Sequence, residues 1–137
     1  MGKPYRIVLA DTNASFRYAL KRILMQNAVL TVVDEAGGTL ELLDLLRLSE
    51  TAPELLIVDM FMPDFDGIQT VRQIKKTYPK TKVLIMSTHK EKEYYQEAFS
   101  SGAEGYLLKQ DVDMEIITAI EKIRQGGVYF SLLLSMG

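Results

Sequence analysis

The sequence predicts one α/β domain built on a parallel sheet with helices on both faces, and three observations carry that prediction. Strand-like runs begin at Arg6, Leu30, Leu55, Lys82 and Gly105, with starts 24, 25, 27 and 23 residues apart. An interval of that length holds one strand and one crossover helix, which is what a parallel connection requires. Segments of helical periodicity fill the intervals, so strand and helix alternate along the chain. The third run, LLIV at 55–58, is apolar at every position, the mark of a strand buried on both faces.

The first run, RIVLA (6–10), closes on Asp11 and precedes a helix expected over Ala14–Gln26, where Phe16, Leu20, Ile23 and Leu24 share one face. LTVVDEA (30–36) stops at Gly37-Gly38, and a helix is expected over Thr39–Ser49. In that helix Leu40, Leu42, Leu43, Leu45, Leu46 and Leu48 occupy most of the circumference, more than one sheet face covers, so a loop or a partner is expected to cover the rest. LLIVD (55–59) runs into a Met-Pro turn and an acidic loop ending at Asp66-Gly67, ahead of a helix over Ile68–Tyr78 that Pro79 stops. KVLIMS (82–87) leads to a helix over Glu91–Ser101, closed by Gly102. GYLLK (105–109) leads to the last, over Asp113–Gln125, with Ile116, Ile120 and Ile123 on its core face and Gly126-Gly127 behind it.

Composition narrows the function. With 137 residues, 47% of them hydrophobic, the chain has the size of one ordinary domain and enough apolar mass for a continuous core. A net charge of −2, from 16 basic and 18 acidic residues, lacks the basic excess of a nucleic-acid-binding domain. The absence of cysteine excludes disulfides and thiolate chemistry and agrees with a reducing compartment. No apolar stretch approaches the roughly 20 residues that cross a bilayer, and residues 1–6 are not followed by a secretory apolar region. The expectation is a soluble, cytoplasmic domain with no membrane partner.

Strand ends carry the polar groups Asp11, Asp59, Ser87-Thr88 and Lys109. Open α/β sheets bind ligands at that carboxyl edge. A carboxylate pair offers the hard oxygen ligands that Mg²⁺ prefers, leaving room for water and phosphate oxygens. A lysine supplies a cation for phosphate charge and a hydroxyl supplies a hydrogen bond. Asp59 would then be the nucleophile that accepts a phosphoryl group, with the metal and Lys109 stabilising charge on the transferring group. Singly, each residue has a plainer explanation: a strand-terminal Asp caps a helix or forms a turn, Ser87 caps the next helix, and Lys109 is a solvated lysine. Joint placement at the ends of separate strands favours the site.

From about Tyr5 to Ser131 the chain resembles the receiver domain of two-component response regulators, through IVLADTNASFRYALKRIL, LLIVDMFMPDFDG, and VLIMSTHK with GAEGYLLKQ. The closing GAEGYLLKQD and AIEKIRQGGVYFS look most like the receivers that precede a LuxR-type helix-turn-helix, the NarL/FixJ branch. The resemblance implies a flavodoxin-like, doubly wound sheet of five strands in the order 2-1-3-4-5. It implies Asp59 as the phosphorylation site, Asp11 as a metal-site acid and the backbone carbonyl of Phe61 as a metal ligand. It also implies Ser87 as the hydroxyl that moves toward the phosphoryl group, Lys109 as its pairing cation and Tyr106 as an aromatic that repositions on activation. Mg²⁺ is the implied cofactor, and a histidine kinase or a phosphotransfer protein the implied donor. The implied output is homodimerisation and control of transcription through a DNA-binding domain outside this chain. Residues 1–131 are expected to form the receiver and residues 132–137, which open with three leucines, to begin a linker or tail.

The chain also departs from that family. Receivers usually carry two adjacent acids after the first strand, whereas Asp11 is followed by Thr12, so weaker Mg²⁺ affinity is expected. A unit charge pair about 4 Å apart is worth about 4 kcal/mol at an effective dielectric near 20, and reduced self-repulsion of the acids offsets part of that loss. Asp66 or water would supply the missing oxygen if Thr12 serves only to cap the first helix. Thr88 stands where the family has a small residue, and Phe61 is bulky beside the acceptor; both are expected to hinder water and slow hydrolysis of the acyl phosphate. His89, the one histidine, reads as an exposed loop residue rather than a base. Two other functions compete: a phosphorylation-independent receiver that binds a partner through the leucine-rich helix, and a hydrolase of the haloacid dehalogenase type. Retention of Asp59, Ser87 and Lys109 argues against the first, and Phe61, standing where the second needs an acid, argues against the other. The chain is expected to be a phosphoacceptor that takes part in its own phosphorylation and dephosphorylation rather than an enzyme.

Overall fold

The computed structural model describes residues 3–63 and 67–131. Asp66 and the leucines at 132–134 therefore lie outside the described residues. In chain order the elements are β1 (Tyr5–Ala10), α1 (Ala14–Met25), β2 (Leu30–Ala36), α2 (Thr39–Leu48), β3 (Leu55–Asp59), α3 (Gly67–Thr77), β4 (Lys82–Ser87), α4 (Lys92–Ser100), β5 (Gly105–Leu108), a single 3₁₀ turn (Lys109–Asp111), α5 (Val112–Arg124) and β6 (Tyr129–Phe130). All strand pairs are parallel, in the order β2-β1-β3-β4-β5-β6.

Alternate residues of the strands feed opposite faces of the sheet, as the two-residue period of an extended chain requires. Val8, Ala10, Leu56, Val58, Val83, Ile85, Tyr106 and Leu108 join a core with Leu42 and Leu46 of α2, Val71 and Ile74 of α3 and Ala98 of α4. Ile7, Leu9, Leu55, Ile57, Leu84, Met86 and Leu107 join a second with Leu20 and Leu24 of α1 and Ile116, Ile120 and Ile123 of α5. Helices thus cover both faces, and β3 is buried at every position, as its unbroken apolar run demands.

The expected five-stranded sheet is extended by a sixth strand. After α5 the chain turns at Gly126, whose φ of +94° lies in the left-handed region that glycine reaches without strain. It then runs back along β5, with Tyr129 N–H donating to the Glu104 carbonyl at 2.9 Å and Ser131 N–H to the Tyr106 carbonyl at 3.0 Å. Gly105 makes room for this approach, since a Cβ there would lie 2.5 Å from Leu84 Cδ1 and 3.0 Å from the Tyr129 carbonyl. A strand of two residues is too short to show any hydrophobic period, which is why the sequence hides it.

The leucine excess of α2 divides in two. Leu42 and Leu46 are buried and Leu43 and Leu45 pack against the same core, while Leu40 and Leu48 remain 72% and 71% exposed. No helix among the described residues is long and apolar enough to cross a membrane.

Candidate functional site

β1 and β3 are neighbours, so the acids that end them lie side by side at the carboxyl edge. Both are buried, Asp11 at 1% and Asp59 at 7% exposure, which is unusual for ionised carboxylates unless a cation compensates. Lys109 is that cation. It leaves the 3₁₀ turn after β5 and its ammonium lies 2.6 Å from Asp11 Oδ2 and 3.2 Å from Asp59 Oδ2. The approach to Asp59 is a hydrogen bond. The approach to Asp11 has ion-pair distance but falls outside hydrogen-bonding angles, so this buried Oδ2 has no aligned donor. The lysine is therefore no solvated surface residue, and the acids are not helix caps.

Each acid spends its other oxygen locally. Asp11 Oδ1 accepts the Asn13 N–H at 2.9 Å, and Asp59 Oδ1 accepts the Phe61 N–H at 3.1 Å. These Asx-type turns aim the second oxygens at the edge crevice. The cap of α1 is Asn13, whose side chain accepts the Phe16 N–H at 3.0 Å, and not Thr12, which stands exposed at the rim. Arg17, one turn into α1, donates to the Asp11 carbonyl and, at 3.2 Å, to Glu35. Burial raises the pKa of Glu35, but hydrogen bonds and charge from Lys21 and Arg17 outweigh it and hold the carboxyl below its usual range.

Ser87 ends β4 fully buried, and its Oγ accepts the His89 N–H at 2.9 Å instead of capping α4, whose cap position is Glu91. Tyr106, on β5, is also fully buried; its hydroxyl donates to the His89 carbonyl at 2.6 Å. Burial pushes the phenol upward, and a hydrogen bond from Ser87 opposes that shift. Ser87, the His89 backbone and Tyr106 thus form one connected unit beside Asp59. His89 is half-buried rather than a free loop residue: its ring lies 4.6 Å from that of Phe61 and 4.7 Å from that of Tyr94. Phe61 and Tyr94 meet edge-on at 5.4 Å, so three rings form a rim over the site.

The residues present fit a divalent cation in part. Two buried carboxylates, one of them with an oxygen lacking an aligned donor, are a suitable donor pair for Mg²⁺, which keeps several waters and needs few protein ligands. Among the described residues no cluster of three or more His, Cys, Asp or Glu surrounds that position. An open cavity of about 870 Å³ lies at the opposite, amino end of the sheet, lined by Tyr5, Val33, Leu45 and Pro53, away from this chemistry.

Sequence reasoning found the acids, the hydroxyl and the lysine but missed two supports. Phe16 does pack against the core as its place in the α1 stripe implies, but nothing in the stripe shows that the Lys109 ammonium lies over its ring, 4.6 Å from the centroid. Arg17 gave no signal because its partners, a backbone carbonyl and Glu35, become neighbours only when β1 and β2 pair.

Fold and site together define a class: a doubly wound α/β domain with an acid pair, a hydroxyl and a lysine converging at the carboxyl edge of its sheet. The family model for the response regulator receiver domain matches residues 7–121, and the chain belongs to that family. Among curated relatives, the transcriptional regulatory protein DegU of Brevibacillus brevis is 32% identical over 124 residues, covering 90% of this chain and 52% of that protein. The oxygen regulatory protein NreC of Staphylococcus epidermidis is 32% identical over 131 residues, covering 95% of this chain and 59% of that protein. The chain spans between half and three-fifths of the length of these relatives. A two-component response regulator of the LuxR family from Aurantimonas sp. SI85-9A1 superposes with a TM-score of 0.89 at 29% identity, over 98% of this chain and 94% of that one. The isolated receiver domain of RcsB from Salmonella enterica, solved with the phosphomimetic BeF3-, gives 0.89 at 20% identity over 98% of both chains, a likeness of fold.

Proposed function

We propose that this receiver accepts a phosphoryl group on Asp59 and converts it into a conformational signal in the cytoplasm. The observation that carries the reading is the Lys109 ammonium held between two buried carboxylates from β1 and β3. A structural lysine needs no such pair at the ligand-binding edge of a doubly wound sheet.

In the proposed reaction an Asp59 carboxylate oxygen forms a bond to phosphorus while the phosphorus–nitrogen bond of a phosphohistidine breaks, and the imidazole departs. The donor is a histidine kinase or a phosphotransfer protein. Mg²⁺, when bound, supplies positive charge to the phosphoryl oxygens; Asp11, Asp59 and the Phe61 carbonyl would hold it, and Thr12 leaves that set one acid short. Lys109 turns from the acids to the new phosphoryl oxygens, a charge-assisted contact. Ser87, whose Oγ accepts the His89 N–H, turns its own hydroxyl proton to the phosphoryl group. Tyr106 is already fully buried, so its repositioning consists in loosening or tightening its bond to the His89 carbonyl rather than entering an empty space. The response is a population shift whose size equals the difference in phosphoryl contacts between the two states.

The receiver is proposed to end at Ser131, which is buried and bonded to Glu115, with residues 132–137 opening a linker. DegU and NreC are named as regulators, and a transcriptional output through a further domain, with homodimerisation, is proposed here by analogy with them.

Incubation with acetyl phosphate and Mg²⁺ followed by intact mass measurement tests the acceptor. The wild type is expected to gain one phosphoryl group and Asp59→Asn none; equal labelling of the variant would remove Asp59 from the role.

A further inference from the structure

We infer that Phe16 is a positioning residue for the phosphorylation site. Its ring face holds the Lys109 ammonium at the far end of its reach, on Asp11, and so governs how readily a divalent cation enters between the acids. The inference rests on the metal-assisted phosphoacceptor reading given above.

The geometry points to a competition. Lys109 starts beyond β5, and the sheet order places β4 and β3 between it and Asp11 on β1. To come within 2.6 Å of Asp11 Oδ2 the side chain must extend across both strands, and there it meets the ring of Phe16, on the first turn of α1. The ammonium then has two carboxylates and an aromatic face around it, and the lysine side chain is only 16% exposed. A ring quadrupole attracts a cation placed over its face, more so when water is excluded. A divalent cation seeking the same Asp11 and Asp59 oxygens must displace the ammonium, which then withdraws from β1 toward its own side of the sheet, where β5 lies. That retreat leaves α1 and its ring behind. Phe16 therefore favours the lysine-bound arrangement and disfavours the metal-bound one.

The site is suited to such control. With Thr12 in place of an acid, two carboxylates face the Lys109 ammonium among the described residues, so ammonium and metal compete for the same pair of acids. Phe16 also packs against the apolar core under α1, so leucine, which keeps that packing and removes the π face, is the informative substitution.

The test is a Mg²⁺ titration of the 137-residue chain, followed by backbone amide shifts of Phe61 and Asn13 in NMR. Phe16→Leu is expected to bind Mg²⁺ more tightly by roughly two- to fivefold, the loss of one partly exposed cation–π contact. Lys109→Gln is expected to tighten binding by a larger factor, and adding Phe16→Leu to it is expected to change nothing further, because the ring acts through the lysine. The ring-current shift on the Lys109 ε-methylene protons, present in the wild type without metal, is expected to vanish in Phe16→Leu. Unchanged or weakened Mg²⁺ affinity in Phe16→Leu, or the same tightening with and without Lys109, overturns the inference. So does failure of both wild type and Lys109→Gln to bind Mg²⁺. Labelling of Asp59 by acetyl phosphate with a metal affinity blind to Phe16 defeats this inference alone. Absence of labelling together with the predicted tightening defeats the phosphoacceptor reading and keeps the role of the ring.

Discussion

Phe61 shows how one residue acquires a role that its type alone does not give it. It follows Asp59, the proposed acceptor, by two positions, and its amide fixes Asp59 Oδ1. Its ring, 48% exposed, closes the rim with His89 and Tyr94. Water attacking an acyl phosphate on Asp59 has to reach phosphorus opposite the Asp59 oxygen, past this rim. Phe61→Asn replaces the ring with a small group that hydrogen-bonds water, and release of phosphate from the labelled chain is expected to accelerate on the order of tenfold, about 1.4 kcal/mol of barrier. Phosphate release followed after removal of the donor checks this, and equal rates in the two proteins would contradict it. The bulk of Phe61 was legible in the sequence; its partners were not. His89 and Tyr94 lie on the far side of β4, and pairing of β3 with β4 is what brings the three rings together.

At the scale of elements, β3, β4 and the helix order follow from apolar runs and turn residues, with helix ends displaced by a residue or so, as fraying termini allow. Lys109 lies in the 3₁₀ turn rather than in β5, a difference that a run such as GYLLK does not reveal. β6 owes its place to specific contacts: Tyr129 Oη donates to Glu115 Oε1 at 2.7 Å and Ser131 Oγ to Glu115 Oε2 at 3.1 Å. Burial, with the hydrogen bond to and charge of Glu115, raises the Tyr129 pKa from 10.0 to about 12. A phenol whose folded pKa exceeds its unfolded one stabilises the fold fully below the unfolded value, and that contribution is lost as pH rises from about 10 through about 12. Tyr129→Phe is therefore expected to lower stability at neutral pH by about 1 kcal/mol and to flatten the alkaline loss. Tyr5, raised to about 12 chiefly by burial, leaves a residual slope in the variant. Urea unfolding at neutral and at alkaline pH measures both effects; an unaltered alkaline slope would show that β6 is not held by this pair.

For the whole molecule, the proposed metal binding would be coupled to folding, because the unfolded chain does not hold Asp11, Asp59 and Lys109 together. Lys109 and Asp59 are 50 residues apart in sequence and meet only through the strand order. That convergence could be inferred from four strand ends, but its geometry could not: the sequence does not reveal that the Lys109 ammonium reaches past Asp59 to Asp11. A cation that binds only the folded state stabilises it by about 0.4 kcal/mol when its concentration equals the dissociation constant, and by about 1.4 kcal/mol at ten times that concentration. Thr12 enters here. It stands exposed beside Asp11, so Thr12→Asp adds a negative charge next to the Asp11–Lys109–Asp59 group. Without divalent ions the added repulsion is expected to lower stability by about 1 kcal/mol, the scale of unit charges near 4 Å in water. With Mg²⁺ the same acid becomes a ligand, and the stability of the variant is expected to rise more steeply with metal concentration than that of the wild type. The two dependences of thermal midpoint on Mg²⁺ should therefore cross. Parallel curves, or a variant more stable than the wild type in the presence of a chelator, would mean that Thr12 lies outside the field of the site, and that the missing acid does not govern the proposed Mg²⁺ affinity.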